Sequence, residues 1–215
     1  MEGLIYKDLQ LFFRSQWVDK KLLVIAAAAI VLLLTQTGEY GGLLSSIMLG
    51  LTVSIQNILI ISSDEDVCWP AYLRTLPVSS RQVVGGKYLA VLCTLAVSAA
   101  GSVVLSLLSG LFFGGVSLLL LGLSVGCAVA IPLLWTGLCL PITYWFGFRT
   151  AQVLGMLLVI PMCCFIKFFE DGPGGLAALP AVLSHGLILT LGGTMLLFAL
   201  SYGVSVLGFR RMRSR

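Results

Sequence analysis

A chain of 215 residues with 59% hydrophobic and 10% charged side chains is far more apolar than a water-soluble domain, where the shares are roughly 45–50% and about 25%. A mean hydropathy of +1.06, and a run of 61 residues from Tyr88 to Phe148 without Asp, Glu, Lys or Arg, exclude a separate soluble domain and point to an all-α, polytopic membrane protein. The net charge of +4 lies at the ends of apolar segments, where it sets topology, so it does not mark a nucleic-acid surface.

Residues 1–20 come first. Leu4, Ile5, Leu9, Phe12 and Phe13 follow helical spacing, with Lys7, Gln10 and Arg14 largely opposite, which predicts a helix lying in the membrane interface. Six apolar blocks follow, at about 22–38, 43–61, 88–112, 117–146, 151–168 and 185–208, and predict six transmembrane helices in one domain spanning 1–215. The first block runs into Thr35-Gln36-Thr37-Gly38-Glu39 without an Ala-x-Ala cleavage site there and reads as an uncleaved span. Gly41-Gly42, Gly114-Gly115 and Asp171–Gly175 are turn signals, while Pro132, Pro141 and Pro161 should kink the spans that contain them. In the second span, Gln56-Asn57 with Ser54 reads first as interhelical glue. The same two residues, Gln56 and Asn57, are the candidates for a substrate path.

The one substantial polar insertion, residues 62–87, separates the second and third blocks. Leu76-Pro77 ends an extended stretch, and Ser79 with Gln82 three residues on predicts a capping box that opens a short helix carrying Val78, Val83 and Val84 among basic residues. Two readings stand: a solvated amphipathic loop, or a rigid knob held under the membrane for a soluble partner. Residues 169–184, rich in Gly, Pro and Ala yet half apolar, predict a short re-entrant or interfacial element before the sixth span.

In a six-span arrangement, twelve of the 13 Lys and Arg residues fall on one side, with only Lys167 on the other, beside Glu170 and Asp171. By the positive-inside rule both termini and the 62–87 loop are cytoplasmic.

Other chemistry finds little support in the sequence. Gly85-Gly86-Lys87 lacks the preceding glycine and following hydroxyl of a phosphate loop, those positions being Arg81 and Tyr88. The six cysteines lie mostly in apolar runs, with no CxxC and no His at ligand spacing, and predict neither a metal site nor a disulfide framework. Ser124 in the fourth span and His185 at the start of the sixth resemble the layout of rhomboid intramembrane proteases, but Val125 stands where that pattern has glycine. Gly122, Gly126 and Ala130, four apart, read instead as a close helix-packing face.

The acidic run Asp64–Asp66, followed by Tyr72, Leu76-Pro77-Val78-Ser79, Val83-Val84 and Lys87-Tyr88, resembles ABC type-2 transporter permeases. So does the Lys7-Asp8-Leu9 opening. Within that superfamily the chain is most similar to the small permeases of phenol-soluble-modulin and antimicrobial-peptide exporters. The resemblance implies the multi-pass membrane subunit of an ATP-driven exporter in a bacterial inner membrane, with an N-terminal interfacial helix and a re-entrant element. It implies a coupling helix that meets the ATPase through Arg74, Thr75, Leu76, Pro77, Val78, Ser79, Ser80, Arg81 and Val84. The implied partners are two copies of a separate ABC ATPase, a second permease chain, identical or homologous, the lipid bilayer and an amphipathic peptide substrate. This chain would hold no cofactor, ATP and Mg being bound by the ATPase. A drug or lipid is the alternative cargo. From other classes, the alternatives are an intramembrane serine hydrolase built on Ser124 and His185, and an ATP-independent immunity or scaffold protein.

Overall fold

A computed structural model describes residues 3, 6–12, 24, 27–32, 35, 38–66, 79–113, 117–147, 149–151, 153, 157 and 179–213. Regular structure among them is helical. A 3-10 turn, Gly38–Tyr40, leads into α1 (Gly41–Asp66), followed by α2 (Ser80–Phe113), α3 (Leu118–Phe146) and α4 (Leu179–Arg213). Among the described residues, Gly41–Ile61, Ser80–Phe113, Leu118–Phe146 and Leu189–Arg211 are long and apolar enough to cross a membrane. They correspond to the second, third, fourth and sixth expected spans. The expected spans 22–38 and 151–168 lie largely outside the described residues, as does most of 169–184. Residues 179–184 are described, and they form the first turns of α4, so the last helix begins ahead of position 185.

α2 differs from expectation. The short helix predicted to open at Ser79 and the span predicted from Tyr88 are one helix of 34 residues. At 1.5 Å per residue it is about 51 Å long, against a hydrocarbon core of about 30 Å, so it extends well beyond the apolar layer. Gly85-Gly86 does not interrupt it, because Val83, Val84 and Tyr88 on either side are locked into the core.

α3 packs along both α1 and α4, and α2 lies against α1 and α3 with a smaller contact to α4. The larger core joins Val84, Tyr88, Val91 and Leu95 of α2 to Leu133 and Leu140 of α3 and Phe198, Val206 and Phe209 of α4. A second joins Leu43 and Ile47 of α1 to Leu123 and Cys127 of α3. Lipid cannot drive apolar helices together as water does, so close approach and internal hydrogen bonds hold such a bundle. A Cβ on Gly42 would lie 3.0 Å from Ser106 Cα, and one on Gly50 3.4 Å from Ala128 Cα. Gly42 thus brings α1 against α2, and Gly50 brings it against the face of α3 that carries Ala128 and Pro132. Of the expected Gly122–Gly126–Ala130 stripe, Gly126 is buried, whereas a Cβ on Gly122 would meet nothing among the described residues.

Pro132 has no N–H for the carbonyl of Ala128, four residues back. Ser98 of α2 supplies the donor instead, its Oγ lying 2.9 Å from that oxygen. The proline is thereby tolerated inside an unbroken helix. α3 ends at Gly147, whose φ of 88° needs glycine and whose N–H donates to Thr143 O at 3.0 Å.

Candidate functional site: the charged base of the bundle

The start of α2 is built as its sequence dictates. Ser79 N–H donates to Gln82 Oε1 at 3.0 Å, and Gln82 N–H donates to Ser79 Oγ at 3.3 Å, a reciprocal capping box. Ser79, Arg81 and Gln82 are exposed and Ser80 is half-buried. Val84, expected in the ATPase contact, is fully buried against the chain's own core, so it braces the helix and is not part of its outer surface. The remaining expected contact residues, 74–78, lie outside the described residues.

Two turns into α2, Lys87 meets three charges from two other segments. Asp64, near the end of α1, accepts from Lys7 through Oδ1 at 2.6 Å and from Lys87 through Oδ2. Asp8 Oδ1 lies 3.2 Å from Lys7 Nζ and 3.7 Å from Lys87 Nζ, paired with both by charge but aligned for a hydrogen bond to neither. Asp8 and Asp64 are each only 5% exposed. Charges so far from water persist only when paired, and two carboxylates with two ammoniums leave the quartet neutral.

The quartet forms because the N-terminal helix docks on α1. Asp8 and Phe12, one turn apart, share a face, and Phe12 packs on Val53 and Ile60 at 2% exposure. Phe12 was expected to face the membrane interface; it faces the bundle. Leu9 is half-buried, while Leu4, Ile5 and Phe13 lie outside the described residues.

Tyr88, the residue after Lys87, ties α2 to the opposite neighbour. Its Oη lies 2.6 Å from Ser201 Oγ and 2.9 Å from Ser205 Oγ on α4, with the rings of Phe198 and Tyr202 packed on it. Tyr202 Oη donates to the carbonyl of Arg81 at 3.4 Å. The start of α2 is thus held by salt bridges on one side and by hydroxyls on the other.

The sequence family described as ABC-2 family transporter protein matches residues 3–210, which include the quartet, the capping box, three of the four described spans in full and the fourth up to Arg210. The chain belongs to that family. No curated protein and no solved structure matches it. An ABC-2 permease is a membrane component of an ABC transporter, and family membership implies association with an ABC ATPase.

In this ABC-2 permease Asn57 is glue. Its Nδ2 donates to Thr94 Oγ1 at 3.0 Å, joining α1 to α2, while Gln56 is half-buried beside it. Asn57, Thr94, Thr136, Asp8 and Lys87 line a cavity of about 20 Å³, on the order of one water molecule. Ser124 is fully buried, with its Oγ 2.5 Å from Ser106 Oγ and donating to Leu121 O at 2.8 Å. A hydroxyl committed in this way is not set up as a nucleophile beside a base. The side chain of His185 lies outside the described residues.

Two features were not recognised from the sequence. Thr94, Ser98, Ser102 and Ser106 form a buried stripe along α2, and their spacing of four is the signal that could have revealed it. The quartet had no comparable signal, because its members come from three separated segments that also serve as topology-setting charge.

Proposed function

We propose that this ABC-2 permease is the membrane half of an ATP-driven exporter. Two permease chains, identical or homologous, would assemble with two copies of a separate ABC ATPase that binds ATP and Mg. The cargo we assign is an amphipathic peptide, consistent with the six spans expected from the sequence, which would leave little outside and no large external recognition domain. Both termini and residues 62–87 would face the cytoplasm of a bacterial cell, with the N-terminal helix at the inner-membrane interface. In support of one common side, Lys7, Arg81, Lys87, Arg210 and Arg211 gather at the same end of the bundle, where Tyr144 at the end of α3 packs on Phe209 and Arg211 lies over Trp145.

The observation that carries the reading is the build of α2. Its capped start presents Ser79, Arg81 and Gln82 outward, and the same helix continues without a break into the core of the bundle. An ATPase that closes on ATP and presses the Arg74–Arg81 segment would therefore move a rod already packed against α1, α3 and α4. Alternating access then follows from shifting that rod relative to its neighbours.

Affinity purification in mild detergent, followed by mass spectrometry, should recover an ABC ATPase with the chain. A protein contact has an apolar centre and a charged rim. Leu76→Asp and Val78→Asp should therefore abolish co-purification and coupled ATP hydrolysis, and Arg81→Ala should weaken them less, with membrane insertion intact throughout. Normal assembly and transport in Leu76→Asp and Val78→Asp would remove the coupling assignment. ATP-dependent uptake of a labelled amphipathic helical peptide into inverted vesicles tests the cargo. Uptake of a lipophilic dye or a lipid in its place would reassign it.

A further inference from the structure

We infer that Lys7, Asp8, Asp64 and Lys87 form the joint through which movement of the segment between α1 and α2 reaches the N-terminal helix, which makes these four residues positioning residues for transport. The inference rests on the proposed docking of an ATPase to that segment.

Three observations lead to it. Asp64 and Lys87 flank the coupling segment and pair across its base, so displacing the start of α2 displaces an ion pair. The two oxygens of Asp64 serve different elements, Oδ1 taking Lys7 of the N-terminal helix and Oδ2 taking Lys87 of α2, so the carboxylate is a bridge between them.

Asp8 Oδ1 supplies a second seat. It lies 3.7 Å from Lys87 Nζ and has no hydrogen-bond partner. A shift of about 1 Å would bring it to the 2.7–2.9 Å or so of a charge-assisted hydrogen bond. Lys87 can therefore pass from Asp64 to Asp8 without any charge losing its partner, and each carboxylate stays near Lys7 in both arrangements. Asp8 and Lys87 both line the small cavity beside this site.

A discrete pair of arrangements, biased from one side by α2 and read on the other by the N-terminal helix, is the kind of element that carries coupling between sites. Tyr88 makes the linkage mechanical. It follows Lys87 and is anchored to Ser201 and Ser205, so rotation of α2 about its axis acts on the quartet and on α4 together.

The experiment uses the full-length chain with its co-purifying ATPase in inverted vesicles. Chains carrying Gly3→Cys, at an exposed position where an added Cβ meets nothing within 4 Å among the described residues, or Thr75→Cys, in the coupling segment, are treated with a membrane-impermeant maleimide. Labelling at each position is read by peptide mass spectrometry, with and without ATP and orthovanadate. Trapped nucleotide should change the labelling rate at both positions by a factor of about three or more. In Lys7→Gln and Asp8→Asn, which leave the Asp64–Lys87 bridge in place, the response at Thr75→Cys should persist while that at Gly3→Cys is lost. A clamp with only a structural role would change the basal rate at Gly3→Cys but leave its nucleotide response.

Persistence of the Gly3→Cys response in both variants overturns the joint. So does a response at Thr75→Cys without one at Gly3→Cys in the unaltered quartet, and in both cases the docking reading survives. Silence at Thr75→Cys instead overturns the docking reading, and the joint that rests on it.

Discussion

Replacing Asp64 by Asn changes no more than an oxygen for an amide nitrogen in volume, but it removes one of the two negative charges that balance Lys7 and Lys87. Asp64 is 5% exposed and is the hydrogen-bond acceptor for both ammoniums, so the variant leaves the quartet with a net positive charge at a site largely removed from water. Deleting one partner of a buried ion pair costs about 3–5 kcal/mol, mostly the penalty of the charge left behind. The Lys7 side chain is 26% exposed and can turn part of its charge to water, while the Lys87 side chain at 14% cannot do so as easily. The expected cost is therefore near the lower end, about 3 kcal/mol. Reversible unfolding of the purified permease from mild micelles into SDS, followed by tryptophan fluorescence, measures it. A second arm isolates the mechanism, because Lys87→Met in the Asp64→Asn background removes the uncompensated charge. The double variant should recover at least about 1 kcal/mol relative to the sum of the single losses, as contacting residues do. A stability within about 0.5 kcal/mol of the parent for Asp64→Asn, or simple additivity in the double variant, would show that the quartet is not a buried, interdependent unit.

Ser98→Ala should cost about 1 kcal/mol in the same titration, and much less in a Pro132→Ala background, where residue 132 regains an N–H for the Ala128 carbonyl; equal costs in both backgrounds would refute that role. Gly208→Ala should destabilise by about 1–3 kcal/mol, because the added Cβ would lie 2.7 Å from the indole of Trp145, and a silent substitution would mean that the contact between α3 and α4 is looser than described. Ser124→Ala should lower stability by about 0.6 kcal/mol and leave transport intact; a loss of all activity at normal expression would restore the serine-hydrolase reading.

How much of this was legible without tertiary structure depends on the range of the physics involved. The membrane class, the four described spans and the capping box at Ser79 and Gln82 are properties of contiguous stretches. Apolar length and short-range hydrogen-bonding geometry need no distant partner, so the residues themselves determine them. Pro132 within a span implies a carbonyl in need of a donor, whereas the polar face of Ser98, Ser102 and Ser106, four residues apart, was not recognised from the sequence. That the one answers the other depends on how α2 lies along α3, 30 positions away.

Val84 shows where local pattern misleads. Beside Arg81 it reads as part of an exposed knob, yet the rotation of α2 places it, fully buried, in the core shared with α3 and α4. Phe12 was misread in the same way, since an apolar face on a short helix suits lipid and protein equally, and only the docked helix decides between them. The quartet lies furthest from sequence. Lys7 is 57 positions from Asp64, and Asp64 is 23 from Lys87, with no repeat or spacing that relates them. What brings them together is the burial of Phe12 on α1 and the alignment of α1 with α2, after which the low polarity of the site forces the charges to pair.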